Sequence, residues 1–244
     1  MKILAFFAHP DDETMFLGGT LAHLLAQGAE IDFLCATRGE GGEMGAPPIC
    51  PRDELGAVRE LELGCAVQAL GGTSLRFLDY RDPLVGPENE LFPYTDLNSS
   101  FVDVVSAALR ESKAEIILTH GPGGEYGHPG HILTHQGVIK ALSTIENYRP
   151  EIYSPCWLSR ETGEFTPVPD YLLDVSDYRD QKTAAALCHR SQHGLFTRHG
   201  EARFGRPVTV PELIRLQEGL VWISRGQKLS ADPLRPWLKP LLIK

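Results

Sequence analysis

Apolar residues fall along the first half of this chain in two alternating patterns. Ile3 to Ala8 is an unbroken apolar run that predicts a buried strand. Thr14 to Gln27 carries Leu17, Leu21, Leu24 and Leu25 on one helical stripe, with Gly28 as its stop. Ile31 to Thr37 is the next strand, and a loop rich in Gly and Glu follows from Arg38 to Pro51. Asp53 to Leu70 reads as a second helix closed by Gly71-Gly72, and Leu75 to Tyr80 as a third strand. A proline-punctuated loop, Arg81 to Asp96, leads to a helix over Leu97 to Ser112. A strand over Glu115 to Thr119 and a helix over Pro129 to Ser143 complete this part.

That alternation predicts an α/β fold: a mostly parallel sheet with helices on both faces, a Rossmann-like three-layer arrangement. Beyond Pro150 the pattern loosens. Ile152 to Leu158 reads as a strand, and Ser176 to His189 and Val210 to Arg225 as helices. No repeat, low-complexity tract or linker interrupts the chain, so residues 1–244 read as one domain with 150–244 as its C-terminal elaboration. In such sheets the functional loops lie beyond the carboxyl ends of the strands. His9, Arg38, Asp82 and the segment His120 to His128 all fall there.

Composition narrows the classes. With 42% hydrophobic residues, 244 residues can bury a good core. Thirty-two acids against 23 bases give a net charge of −9, which argues against a nucleic-acid or anionic-membrane surface. The cysteines, at 35, 50, 65, 156 and 188, are scattered and form no C-x-x-C pair. Cys35, Cys65 and Cys188 sit among apolar neighbours and read as small buried hydrophobes in a reducing cytoplasm. No signal peptide or membrane span is legible, since no run approaches roughly 20 apolar residues.

Two segments carry candidate chemistry. Ala8-His9-Pro10-Asp11-Asp12-Glu13-Thr14 lies at a strand-to-helix turn. Acids there often cap a helix and complement its dipole, but three acids after a histidine exceed the needs of a cap. The second is Gly124-Glu125-Tyr126-Gly127-His128-Pro129-Gly130-His131-Ile132-Leu133-Thr134-His135. His131 and His135 are one helical turn apart and can share a face to bind metal, although the glutamate of an H-E-x-x-H protease is absent. His23 and His199, isolated histidines, read as scaffold. A catalytic zinc takes three imidazole or carboxylate ligands and acidifies a water molecule. His9, Asp12 and His131 supply such a set, with Asp11 beside them as the base. The bond that is cut stays open on these residues alone.

The complete A-H-P-D-D-E element and the later His128-Pro129-Gly130-His131 resemble the LmbE-like/PIG-L family of zinc-dependent N-acetylglucosaminyl deacetylases. The likeness runs over residues 1–140 and less sharply to Gln192. It implies one zinc per chain, held by His9, Asp12 and His131, with Asp11 as general base. It implies that His128 and Tyr126 stabilise the tetrahedral oxyanion or pass a proton to the leaving amine, and leaves open whether Asp11 or His128 protonates that amine. Gly39-Glu40-x-Gly42 matches the family's acidic loop. Arg59 matches a substrate-binding arginine, against the plainer reading of a surface residue paired with Glu62. Asp82 matches an aspartate that binds sugar hydroxyls, against that of a turn-forming residue before Pro83. His189, in His189-Arg190-Ser191-Gln192, matches a structural element behind the site. Gly130 departs from the family's H-P-D-H and removes a carboxylate that would steady an imidazole; Glu125 is a candidate to replace it.

The resemblance implies an amide hydrolase acting on a 2-acetamido sugar, with a small-molecule glycoside or N-acyl amine as its partner. No nucleic acid or membrane span is expected, and a homo-oligomer is compatible with it. A metal-dependent phosphoesterase is the first alternative, but it wants more carboxylates and more bases. A nucleotide-binding protein without hydrolysis is the second; it lacks the G-x-G-x-x-G turn, and acids occupy the helix end where pyrophosphate would sit.

Overall fold

A computed structural model describes residues 1–159, 162–223 and 232–243. In chain order the first half runs β1 (Lys2–Phe7), α1 (Asp12–Ala26), β2 (Glu30–Thr37), α2 (Leu55–Leu70), β3 (Ser74–Tyr80), α3 (Ser99–Ser112), β4 (Ile116–Thr119), α4 (Gly124–Gly127) and α5 (Pro129–Thr144). The second half adds β5 (Glu151–Pro155), β6 (Trp157–Leu158), β7 (Phe165–Thr166), β8 (Tyr171–Asp174), α6 (Arg179–Cys188), α7 (His193–Phe204), α8 (Val210–Leu213), β9 (Gln217–Ile223) and α9 (Arg235–Leu238).

The main sheet has the order β3-β2-β1-β4-β5-β9-β8. Its first five strands are parallel, while β9 runs antiparallel to both β5 and β8. β1 shows why both faces must be covered. Ile3, Ala5 and Phe7 enter one apolar cluster with Leu17, Leu21, Leu63 and Ala185. The alternate residues Leu4, Phe6 and Ala8 enter another, with Phe101, Val105, Leu133 and Val138. Helices α1, α2 and α6 thus cover one face and α3 and α5 the other, the expected three layers. From β1 the chain builds β2 and β3 on one side and then crosses back to place β4 on the other, so the crevice for a site opens between the carboxyl ends of β1 and β4.

In the C-terminal half two of the expected elements fold differently, and β7, β8 and α7 are elements the sequence pattern did not predict. The helix expected over Val210 to Arg225 is a single turn, α8, followed by strand β9; residues 224 and 225 lie outside the described residues. Its unbroken apolar run Leu220 to Ile223 suits a buried strand as well as a helix, and tertiary pairing between β5 and β8 decides the outcome. Gly219 suits that narrow slot, since a Cβ there would lie 3.0 Å from the Cβ of Cys156. The strand expected over Ile152 to Leu158 breaks after Pro155, and Trp157 and Leu158 pair separately with β7.

The cysteine expectation is also corrected. Cys35 is buried and free, but Cys65 and Cys188 form a disulfide, with Cα atoms 5.7 Å apart, joining α2 to the end of α6. Neither is the buried hydrophobe expected: Cys65 is exposed and Cys188 half-buried. Among the described residues no helix is long and apolar enough to cross a membrane.

Candidate metal and catalytic site

Thr37 pins the end of β1, donating from its backbone N–H (3.1 Å) and its hydroxyl (3.0 Å) to the Ala8 carbonyl. The Ala8 N–H donates to His120 Nε2 at 3.0 Å, which ties the exits of β1 and β4 together. Asp11 then takes φ 119°, ψ −24°, a conformation rare for a side-chain-bearing residue, and α1 begins at Asp12. Asp12 curls back, so that its Oδ2 accepts from the His9 N–H at 2.9 Å.

These turns bring most of the expected residues together. His9 Nδ1 is 3.4 Å from Asp12 Oδ2, and His131 Nε2 is 3.2 Å from Asp12 Oδ1. The His128 ring lies 4.6 Å from those of both His9 and His131. Tyr126, half exposed, stands edge-on to His131 at 5.3 Å. Asp82 is no mere turn residue: its Oδ1 lies 3.2 Å from His9 Nε2, and its own N–H donates to Glu40 Oε2 at 3.0 Å.

Arg59 is fully buried, which overturns its pairing with Glu62. Its guanidinium donates to the carbonyls of Gly39 (2.9 Å) and Pro10, and its Nη2 lies 3.3 Å from Asp11 Oδ2. Glu62 instead accepts from the N–H and hydroxyl of Ser191, each at 2.7 Å. His189 meets Thr14 Oγ1 at 3.3 Å and Gln192 donates to the Glu43 carbonyl at 2.8 Å, so the His189-to-Gln192 element braces the site from behind.

Two histidines correct the sequence reading. His135 does not share the metal face: among the described residues it belongs to neither cluster of potential ligand atoms, and its Nδ1 donates to the His120 carbonyl at 2.8 Å. His120, assigned no role from the sequence, is wholly buried, with its Nε2 3.3 Å from Asp12 Oδ2. Its position just beyond β4, matching that of His9 beyond β1, was the available signal. His23 is scaffold as expected, bonded to the Tyr178 hydroxyl (3.0 Å) and the Trp237 carbonyl (2.8 Å).

The donor set fits a divalent cation. His9 Nε2 and His131 Nε2 are buried without a hydrogen-bond partner among the described residues, although each faces a carboxylate. A cation would satisfy such nitrogens. Ligand atoms of His9, His128 and His131 lie within 4.8 Å of one another, as do those of Asp12, His120 and His131. Burial raises the Asp11 carboxyl to about 6 against the pull of Arg59. Burial, with His9 and His131 nearby, pushes His128 down to about 3.

The chain is similar to known proteins across this site. A family model described as PIG-L, GlcNAc-PI de-N-acetylase, matches residues 4–142. A Bacillus anthracis protein described as "Probable N-acetyl-alpha-D-glucosaminyl L-malate deacetylase 2" is 32% identical over 192 residues, 78% of this chain and 80% of that one. A 1D-myo-inositol 2-acetamido-2-deoxy-alpha-D-glucopyranoside deacetylase from Saccharomonospora viridis is 31% identical over 268 residues, 94% of this chain and 97% of that one. Two solved structures share the fold. The N,N'-diacetylchitobiose deacetylase of Pyrococcus horikoshii has a TM-score of 0.65 at 21% identity, covering 91% of this chain and 83% of that one. GalB, a 4-carboxy-2-hydroxymuconate hydratase from Pseudomonas putida KT2440, has a TM-score of 0.64 at 23% identity, covering 95% of this chain and all of that one. The fold is thus not tied to one chemistry, but the sequence likeness extends through the His9 and His131 motifs, and the chain belongs to the PIG-L family.

Proposed function

We propose that this chain is a zinc-dependent amide hydrolase that removes the acetyl group from a 2-acetamido sugar carried by a small-molecule glycoside. His9, Asp12 and His131 would hold a single zinc. The observation that carries the reading is the pair of buried, unpartnered imidazole nitrogens of His9 and His131 beside the Asp12 carboxylate. The sequence relatives, named as deacetylases of N-acetylglucosamine conjugates, support the choice of bond.

When bound, zinc supplies a Lewis acid for the carbonyl and lowers the pKa of water. The remaining work falls to the chain. Asp11, steadied by Arg59, accepts the proton of the attacking water. His128 accepts the Gly130 N–H on its Nδ1 at 3.1 Å, so the neutral ring carries its proton on Nε2 and donates to the developing oxyanion. Tyr126, at the rim, offers its hydroxyl as a second donor. Asp82 keeps lone pairs for sugar hydroxyls while its Oδ1 faces His9. Arg59 serves the substrate through Asp11, since its Nη atoms are committed to backbone carbonyls and that carboxylate.

Metal analysis paired with amine release from N-acetylglucosamine conjugates tests the reading. Asp11→Asn should retain zinc and lose activity, by about 100-fold or more for a general base, while His9→Ala should lose zinc. Unchanged amine release by Asp11→Asn would remove Asp11 from the role of base. A wild-type chain that binds no zinc would overturn the whole reading.

A further inference from the structure

Gly130 leaves no carboxylate between His128 and His131. A Cβ there would already lie 3.2 Å from His9 Nε2 and 3.3 Å from His128 Nδ1. A carboxylate arrives from the preceding turn instead. Glu125 takes φ 58°, ψ −74°, a strained backbone for a side-chain-bearing residue. Its carboxylate is completely buried. Oε1 accepts from the Gly121 N–H at 2.8 Å, and Oε2 is shared between His120 Nδ1 at 2.7 Å and His131 Nδ1 at 2.8 Å.

These contacts fix tautomers. The Ala8 N–H donates to His120 Nε2, so that nitrogen presents a lone pair and the neutral ring holds its proton on Nδ1, facing Glu125. His131 presents its Nδ1 to the same oxygen, which leaves Nε2 as a bare, buried donor atom 3.2 Å from Asp12 Oδ1. A strained turn is retained where the geometry it creates has a use, and here it delivers one oxygen to two imidazoles.

We infer that Glu125 is a positioning residue for the metal site. It holds His131 with Nε2 free to ligate and, through His120, braces the exit of β1 that carries His9 and Asp12. A ligating histidine commonly gives its other N–H to a carboxylate, and loss of that partner weakens metal binding by about 10–100-fold. This rests on His131 and Asp12 being ligands. That premise fails separately, if the wild type binds no zinc.

Zinc affinity of wild type and Glu125→Gln, measured by competition with a chromophoric chelator, should differ by about 10–100-fold. The visible bands of the cobalt(II)-loaded proteins should shift between the two, a change that a merely structural role would not produce. Affinity within threefold of wild type and unshifted bands would overturn the proposal. Should Glu125→Gln fail to fold, the zinc-loaded wild type still decides it. Long-range nitrogen–proton correlations on histidine-labelled protein should show His120 and His131 protonated on Nδ1 and not on Nε2, and a proton on His131 Nε2 would overturn it.

Discussion

Arg59 occupies a slot that two glycines leave open. A Cβ at Gly42 would lie 2.3 Å from its Nη1, and one at Gly39 2.1 Å away. Gly39 also has φ 66°, so a substitution there mixes backbone strain with displacement of the arginine, whereas Gly42 isolates the second effect. Gly42→Ala should therefore push the guanidinium off the Pro10 carbonyl and Asp11 while leaving His9, Asp12 and His131 in place. Amine release should fall by about 10–100-fold, as expected when a reacting group shifts by about an ångström. Zinc content by metal analysis should stay at the wild-type level, and loss of zinc would show that the glycine loop supports the ligands as well. At this scale the sequence displayed the donors but not their depth. An arginine with a glutamate three positions on resembles a solvated helix pair, and only the fold sends Glu62 to Ser191 and Arg59 inward. His120 stayed hidden for a related reason: a lone histidine has no pattern, and its value comes from the register that sets β4 beside β1.

Helix α1 bends where another element enters its hydrogen-bond ladder. Leu17 has φ −132°, ψ 15°, outside helical values. The amides of Gly19 and Thr20, at 2.9 and 2.8 Å, donate to the Glu218 carboxylate on β9 rather than to the preceding turn. The Thr20 hydroxyl and Lys182 Nζ, the latter at 2.6 Å, complete the shell of that carboxylate. A buried charge in this position holds α1, α6 and β9 together only while Lys182 balances it. Lys182→Met should cost about 3–5 kcal/mol in urea denaturation, the usual result of stranding one member of a buried pair. Glu218→Gln should cost a similar amount, because it strands the Lys182 ammonium in turn, although its amide oxygen still accepts one of the two backbone N–H groups. A smaller loss for Lys182→Met than for Glu218→Gln would mean that the amides, and not the charge, dominate. Nothing along the chain announces this junction. Lys182 lies in a stretch with a legible helical pattern, but a lysine is ordinarily solvated. Its partner lies in the segment whose apolar spacing reads as helix and which folds as β9.

Across the whole molecule, the parallel strands and the placing of the functional loops beyond their carboxyl ends were legible because continuous apolar runs alternate with amphipathic helices there. The strand order that sets β4 beside β1 was not. The antiparallel edge and the Cys65–Cys188 bond were not, since both join segments far apart in the chain. The disulfide spans a sequence separation of 123 residues. It fastens α2, which carries Arg59 and Glu62, to the helix that leads into His189 and Ser191. A cross-link of that span removes much of the freedom of the unfolded chain, and a stabilisation of about 2–4 kcal/mol is typical. Two measurements separate the bond's presence from its effect. Denatured without reductant, the chain should titrate three thiols, those of Cys35, Cys50 and Cys156, and all five only after reduction. The double substitution Cys65→Ser with Cys188→Ser should then lower the free energy of unfolding by about the same 2–4 kcal/mol. Because Arg59 and His9 keep their own hydrogen bonds without the cross-link, zinc affinity should change far less than stability. Equal urea midpoints for the two chains would show that packing between α2 and α6 already supplies all the restraint. A parallel loss of zinc would instead make the bond part of the site's frame.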